Sequence, residues 1–129
     1  MEKQSIINPF VGVGIIAFNS KRDFVRKQLG EYSEFRKSKF SKNTTDNFGT
    51  FHVFYSQKNT VDAVEFFPGS NVIYKGHKMF DLDREALISL YNDDKMVQEE
   101  DSINFISYGV EVVIEEERIT SIFVHKAGY

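Results

Sequence analysis

The chain has 129 residues, with 13 phenylalanines, 6 tyrosines, no cysteine, no tryptophan, 41% apolar residues and a net charge of −3. That length fits one domain, residues 1–129, burying about two-thirds of its surface, and the apolar share supports a packed core, which excludes a wholly disordered chain. The missing cysteines exclude disulfides, thiolate metal sites and a cysteine nucleophile.

The small net charge hides an asymmetry. Residues 1–64 carry 10 Lys/Arg against 6 Asp/Glu, whereas residues 65–129 carry 6 against 13. If both halves share one core, the second contributes an acidic side, and such a side speeds and orients association with basic partners. Solvation alone is the plainer reading of any single charge run.

The opening MEKQSIINPFVGVGIIAF lacks a cleavage site of small residues, and no apolar run approaches the ~20 residues that span a bilayer. The expectation is a cytoplasmic protein, in which the sequon at Asn43 has no bearing. Residues 1–9 read as a polar lead ended by Pro9, and Phe10–Phe18 as a strand. Gly12-Val13-Gly14 falls short of a dinucleotide fingerprint, because Ala17 stands where a third glycine is needed. Ser20 is the expected N-cap of a helix over Lys21–Leu29, with Asp23 in a capping-box position and Gly30 as the stop. Phe24, Val25 and Leu29 are its expected apolar face.

Glu31–Asn47 has no clean period. Between residues 32 and 42 it interleaves Arg36, Lys37, Lys39 and Lys42 with Tyr32, Phe35 and Phe40. Cations among rings suit single-stranded nucleic acid, although the pI near 5.6 speaks against a dedicated binder. A surface loop anchored by Phe35 and Phe40 is the simpler reading. Phe48–Phe67 follows as two apolar strands around a Ser56–Asn59 tip, apolar on both faces and therefore central.

Val72–Tyr74 reads as a short strand turned at Lys75-Gly76. Asp81 or Asp83 caps a second helix whose stripe is Ala86, Leu87, Leu90 and Tyr91. An acidic connector, Asn92–Asp101, leads to a strand from Ile103 and to a second hairpin over Tyr108–Val124. There Val110, Val112 and Ile114 alternate with Glu111 and Glu115 around a Glu115–Glu117 tip, whose turn type is open. The two helical segments align at an offset of 62 residues. The expected fold class is therefore α+β: a tandem repeat of a short helix followed by an antiparallel β-hairpin, with units near 10–67 and 72–125. These form one or two antiparallel sheets with helices packed on them.

Chemistry is sparse. His52, His77 and His125 are not at ligand spacing, and only His52 with Asp62, across the first hairpin, offers an acid–base pair. Asp81 and Asp83 have the spacing of a cation pair, but helix capping accounts for both. The acids at 99–101 and 115–117 lack the glycine-punctuated calcium loop, and no serine sits in a G-x-S-x-G elbow. No catalytic residue, cofactor or metal is assigned, and the chain reads as a binding protein and not an enzyme.

Phe18, Ser20, Phe24, Val25, Leu29 and Gly30, then Thr44, Asp46, Phe48 and Gly49 running on to Phe67, form a pattern that resembles small bacterial proteins encoded beside polymorphic or contact-dependent growth-inhibition toxins. The resemblance covers about residues 10–125 and rests on scaffold positions. It implies an immunity protein that binds one toxin domain, commonly a nuclease, and blocks its active site or substrate surface. The layout is also similar to that of β-lactamase inhibitor proteins, at the level of fold alone. Since contact residues do not transfer by such a motif, the expected toxin-binding surface is taken from charge: Glu99, Glu100, Asp101, Glu115, Glu116 and Glu117, with Tyr108 as an exposed aromatic anchor. The alternative is a nucleic-acid-associated or regulatory module using residues 32–42.

Overall fold

The computed structural model describes residues 4–129. Strands β1 (Ser5–Asn8), β2 (Gly12–Val13) and β3 (Ile16–Ala17) precede helix α1 (Arg22–Leu29). Four strands follow: β4 (Ser33–Phe35), β5 (Thr45–Asn47), β6 (Phe51–Tyr55) and β7 (Val61–Phe66). The second half opens with β8 (Val72–Tyr74) and β9 (His77–Lys78), then helix α2 (Arg84–Tyr91). It ends with β10 (Val97–Gln98), β11 (Ser102–Phe105), β12 (Val110–Glu115) and β13 (Arg118–His125).

These strands make two sheets. The larger has eight strands in the order β10-β11-β12-β13-β7-β6-β5-β4, every neighbouring pair antiparallel. The smaller has the order β3-β2-β1-β8-β9, in which β1 and β8 run parallel. The molecule is α+β and strand-rich, and the parallel pair departs from the all-antiparallel expectation. Residues 5–8 are also more than a polar lead, because β1 is the middle strand of the small sheet. Residues 1–3 of that lead lie outside the described residues. The expected strand over Phe10–Phe18 is broken by turns into β2 and β3, with Phe10 and Gly14 both at positive φ.

Both expected hairpins form. The β6–β7 tip spans Ser56–Thr60, where Ser56 Oγ meets Thr60 Oγ1 at 2.7 Å. The β12–β13 tip is the two-residue turn Glu116-Glu117, with φ of 50° and 63°. Positive φ at both central residues is the requirement of a type I′ turn, whose twist matches that of the flanking strands.

The core lies between the large sheet and a layer made of the small sheet and the helices. Val53, Val64, Phe66, Ile122, Val124 and Val112 from the large sheet join Ile7, Val13, Val72, Val25 and Leu87 in one buried cluster. Tyr91 of α2 stacks on Phe105 at 4.3 Å and on Tyr74 at 4.5 Å, so one ring holds helix and both sheets together. Aromatic pairs of this kind contribute roughly 0.5–1.5 kcal/mol beyond their buried area.

Helix α1 is held differently from the expectation. Its N-cap position is Lys21, with no side-chain cap, and Ser20 Oγ donates back to the Ala17 carbonyl at 2.6 Å. Phe24 is 53% exposed, so Val25 and the half-buried Leu29 carry the apolar face. Gly30 ends the helix as expected, at φ 83°. Helix α2 does carry its cap: Asp83 accepts from the Ala86 N–H at 2.8 Å.

Candidate functional site

Three segments converge on an acidic groove of about 620 Å³. Its lining is Asp83, Arg84 and Glu85 from the start of α2, Glu100 and Asp101 from the β10–β11 turn, and Ile114, Glu116 and Glu117 from the second hairpin. The turn is fixed to both neighbours: the Ile114 N–H donates to the Asp101 carbonyl, and the Glu99 N–H to the Ser102 carbonyl, each at 2.8 Å.

Arg84 closes the floor. It donates to the Glu99 carbonyl at 3.3 Å and to the Glu100 carbonyl at 2.7 Å, so its charge is spent on backbone and not on a side-chain carboxylate. Among the described residues no ion pair engages Glu99, Glu100, Asp101, Glu116 or Glu117. The groove therefore presents six carboxylates against one arginine, all six exposed. Burying such charges requires cationic partners, so the arrangement suits a basic surface.

Of the residues expected at the toxin-binding surface, Glu100, Asp101, Glu116 and Glu117 line this groove. Glu99 lies beside it in the same turn, and Glu115 at its rim accepts from Thr120 at 3.0 Å. Tyr108 is elsewhere. It packs edge-on against Tyr91 at 5.3 Å and Tyr74 at 6.1 Å, at the far end of β12 from the tip. Six residues of strand separate the two, roughly 20 Å. It is a core-flanking ring and not an exposed anchor beside the acids. Its place follows from Gly109, whose left-handed φ of 65° turns the chain into β12.

The His52–Asp62 pair does not form. The β6–β7 pairing places Glu65, not Asp62, opposite His52, and Asp62 binds Lys126 at 2.8 Å. His52 sits between Phe35 at 5.0 Å and Phe67 at 4.8 Å, and burial lowers its pKa below the ordinary value against the opposing pull of Glu65. Among the described residues no group of three His, Asp or Glu side chains is placed to hold a metal. Asp83 is the helix cap, while Asp81 ends a short 3-10 turn and is exposed.

One buried polar cluster has no counterpart in the sequence reading. Asp46 on β5 is fully buried and accepts from Arg22 Nη2 at 2.8 Å, from Arg26 Nε and Nη2 at 2.8 Å each, and from the Tyr55 hydroxyl at 2.9 Å. Burial would raise its pKa, but these four donors outweigh burial and hold it below the usual carboxylate range. Arg22 also reaches Asn43, Asn59 and Thr44. The cluster ties α1 to the first hairpin and to the β4–β5 connection. Its only advance signal was a helix carrying arginines at i and i+4, which place two cations on one face.

No family model, no curated protein and no solved structure matches the chain.

Proposed function

We propose that the protein is an immunity protein of the cytoplasm, which neutralises a cognate bacterial toxin domain with a basic surface, such as a nuclease, by occupying its active site or substrate surface. The carrying observation is the acidic groove between α2, the β10–β11 turn and the Glu116-Glu117 tip, whose carboxylates are exposed and, among the described residues, in no ion pair. A basic toxin surface that binds a phosphate backbone meets the same sign of charge here, so occupying the groove competes with its substrate. No reaction by the immunity protein itself is part of this reading.

The two halves are, in this reading, copies of one unit. Helices α1 and α2 each span eight residues at an offset of 62, and each is followed by four antiparallel strands. In both closing hairpins the register shifts just before the tip, after Phe54 and after Val113. The copies meet where β13 pairs with β7, so their opposite charges lie at opposite ends of one sheet.

The test is whether the neighbouring open reading frame encodes a toxin domain that kills cells unless this chain is co-expressed, followed by association kinetics on the purified pair. The variant Glu100→Lys/Glu116→Lys/Glu117→Lys is expected to associate at least tenfold more slowly, to lose its dependence on salt, and to leave cells unprotected. Wild-type protection and kinetics in this variant would rule out the groove.

A further inference from the structure

The large sheet has one covered face and one open face. Along its central strands Val53, Tyr55, Val64, Phe66, Ile122 and Val124 enter the core, and the residues alternating with them do not. Those outward positions are mostly aromatic at the β4–β7 end. Phe54 of β6 and Phe123 of β13 lie near-parallel at 5.7 Å and 18°, roofing the fully buried Ala63 between them. Tyr129, 59% exposed, continues the row at 5.6 Å from Phe123. On the other flank, Phe35 of β4 abuts His52.

The β4–β5 connection runs along the same edge. From Arg36 to Thr44 it carries four cations, Arg36, Lys37, Lys39 and Lys42, and no acid. All four are exposed. Lys37 Nζ stands 4.7 Å from the Phe54 ring centroid. Phe40 does not anchor the segment as the sequence suggested; it is 82% exposed, with Lys39 Nζ 5.2 Å from its ring. Between segment and sheet lies a cavity of about 320 Å³ whose lining includes Lys37, Lys42, Phe54 and Tyr129. Of the acids on this face, Glu65 is 4.0 Å from Lys37 and Asp62 is 2.8 Å from Lys126, while Glu111 of β12, opposite Phe123, is in no ion pair among the described residues.

We propose that this open face and the 36–42 segment bind single-stranded nucleic acid, with bases on Phe54, Phe123 and Tyr129 and phosphates on Lys37, Lys39 and Lys42. Rings on a rigid sheet beside a cationic track are what sequence-tolerant single-strand binding requires, since every base has a face to stack and every nucleotide a phosphate. A duplex hides its base faces and gains only the charge. The net charge of −3 does not oppose this. The acidic groove belongs to the β10–β12 end, four or more strand spacings from β5, or roughly 20–30 Å. At physiological ionic strength the screening length is ~8 Å.

Fluorescence anisotropy of the full chain with labelled dT and rA 12-mers, against a 12-base-pair duplex, tests the assignment. At 50 mM salt the single strands are expected to bind at micromolar protein and the duplex about tenfold more weakly. Three phosphate-binding lysines imply a log–log salt slope near −2, from about −0.7 per phosphate contact. Tyr129→Ala is expected to weaken binding about tenfold through lost stacking. Lys39→Glu/Lys42→Glu, at two exposed positions, is expected to abolish it and the salt slope with an unchanged circular dichroism spectrum. The assignment is overturned by no binding at 200 µM protein, by equal affinity for the duplex, or by wild-type affinity in the double lysine variant. An absence of binding would leave the face to a protein partner.

Discussion

Arg26 holds Asp46 with two parallel hydrogen bonds, Nε to one carboxylate oxygen and Nη2 to the other, each 2.8 Å long. This fork joins α1 to β5 across 20 residues of chain, with Arg22 and Tyr55 completing the shell around a fully buried carboxylate. Removing one partner of a buried charge cluster typically costs about 3–5 kcal/mol, because the remaining charges lose their compensation. Asp46→Ala is therefore expected to lower the unfolding free energy from urea titration by that amount, leaving two arginines facing each other. Arg26→Lys keeps the charge but not the fork, so a smaller loss is expected. An unfolding free energy within about 0.5 kcal/mol of wild type in Asp46→Ala would show that the clamp is dispensable.

How much of this was legible in advance varies with the interaction. Hairpin positions were legible because Val, Phe and Tyr runs bounded by polar tips report a local preference for the pleated strand. Gly30 was legible for the same reason, and the α2 cap was narrowed to Asp81 or Asp83, as caps act within one turn. Asp46 was not, because its partners sit 20 and 24 residues earlier and 9 later, and no local pattern links them. Lys21 displaced Ser20 as the cap position because the Ser20 hydroxyl bonds backward to Ala17. The acidic groove was half legible: the acids of both tips were visible in sequence, while the contribution of Glu85 and of Asp83 depended on α2 docking beside them. Tyr108 was misplaced because an exposed tyrosine and one wedged against Tyr91 look the same in one dimension.

Acid should destabilise the fold through several named groups acting in one direction. The Asp46 pKa is lowered in the folded protein, since donors from Arg26, Arg22 and Tyr55 outweigh burial. Asp93 is lowered likewise: burial is outweighed by the Lys95 N–H and by the Ser107 hydroxyl and N–H. A carboxyl whose folded pKa lies below its unfolded value adds stability above the unfolded value, near 4, and loses it as pH falls through the folded one. His52, lowered chiefly by burial, adds stability that declines as pH falls past the ordinary 6.5. Urea midpoints should thus decline gently from pH 7 to 5 and steeply below 4. In Asp46→Asn the steep limb should shrink. An identical profile in that variant would remove Asp46 from the explanation.

Gly109 tests the backbone at the entry to β12. Its φ is 65°, and a Cβ built there would lie 2.8 Å from the His125 carbonyl oxygen and 2.8 Å from the Phe10 ring. Gly109→Ala therefore meets a left-handed backbone and a fixed carbonyl at once. A loss of roughly 2–3 kcal/mol is expected, read as a fall in the thermal midpoint of several degrees. Gly30→Ala shares the positive φ but meets nothing within 4 Å, so it should cost less. Equal losses at the two sites would mean that backbone conformation alone, and not the His125 contact, sets the cost.

The Glu116-Glu117 turn sets stability against charge. Both residues are in the left-handed region, with like charges side by side, where Asn-Gly would relax the backbone and remove the repulsion. Glu116→Asn/Glu117→Gly is therefore expected to raise stability by about 1 kcal/mol in urea unfolding. The same change deletes two of the six carboxylates of the groove, so the more stable variant should bind a basic partner more slowly. A strained pair kept where a relaxed one fits points to a use for its charge, and the direction of the two effects separates the readings. If the variant is more stable and equally fast, these acids are ordinary surface charges. If it is less stable, the β12–β13 register depends on side chains and not on the turn.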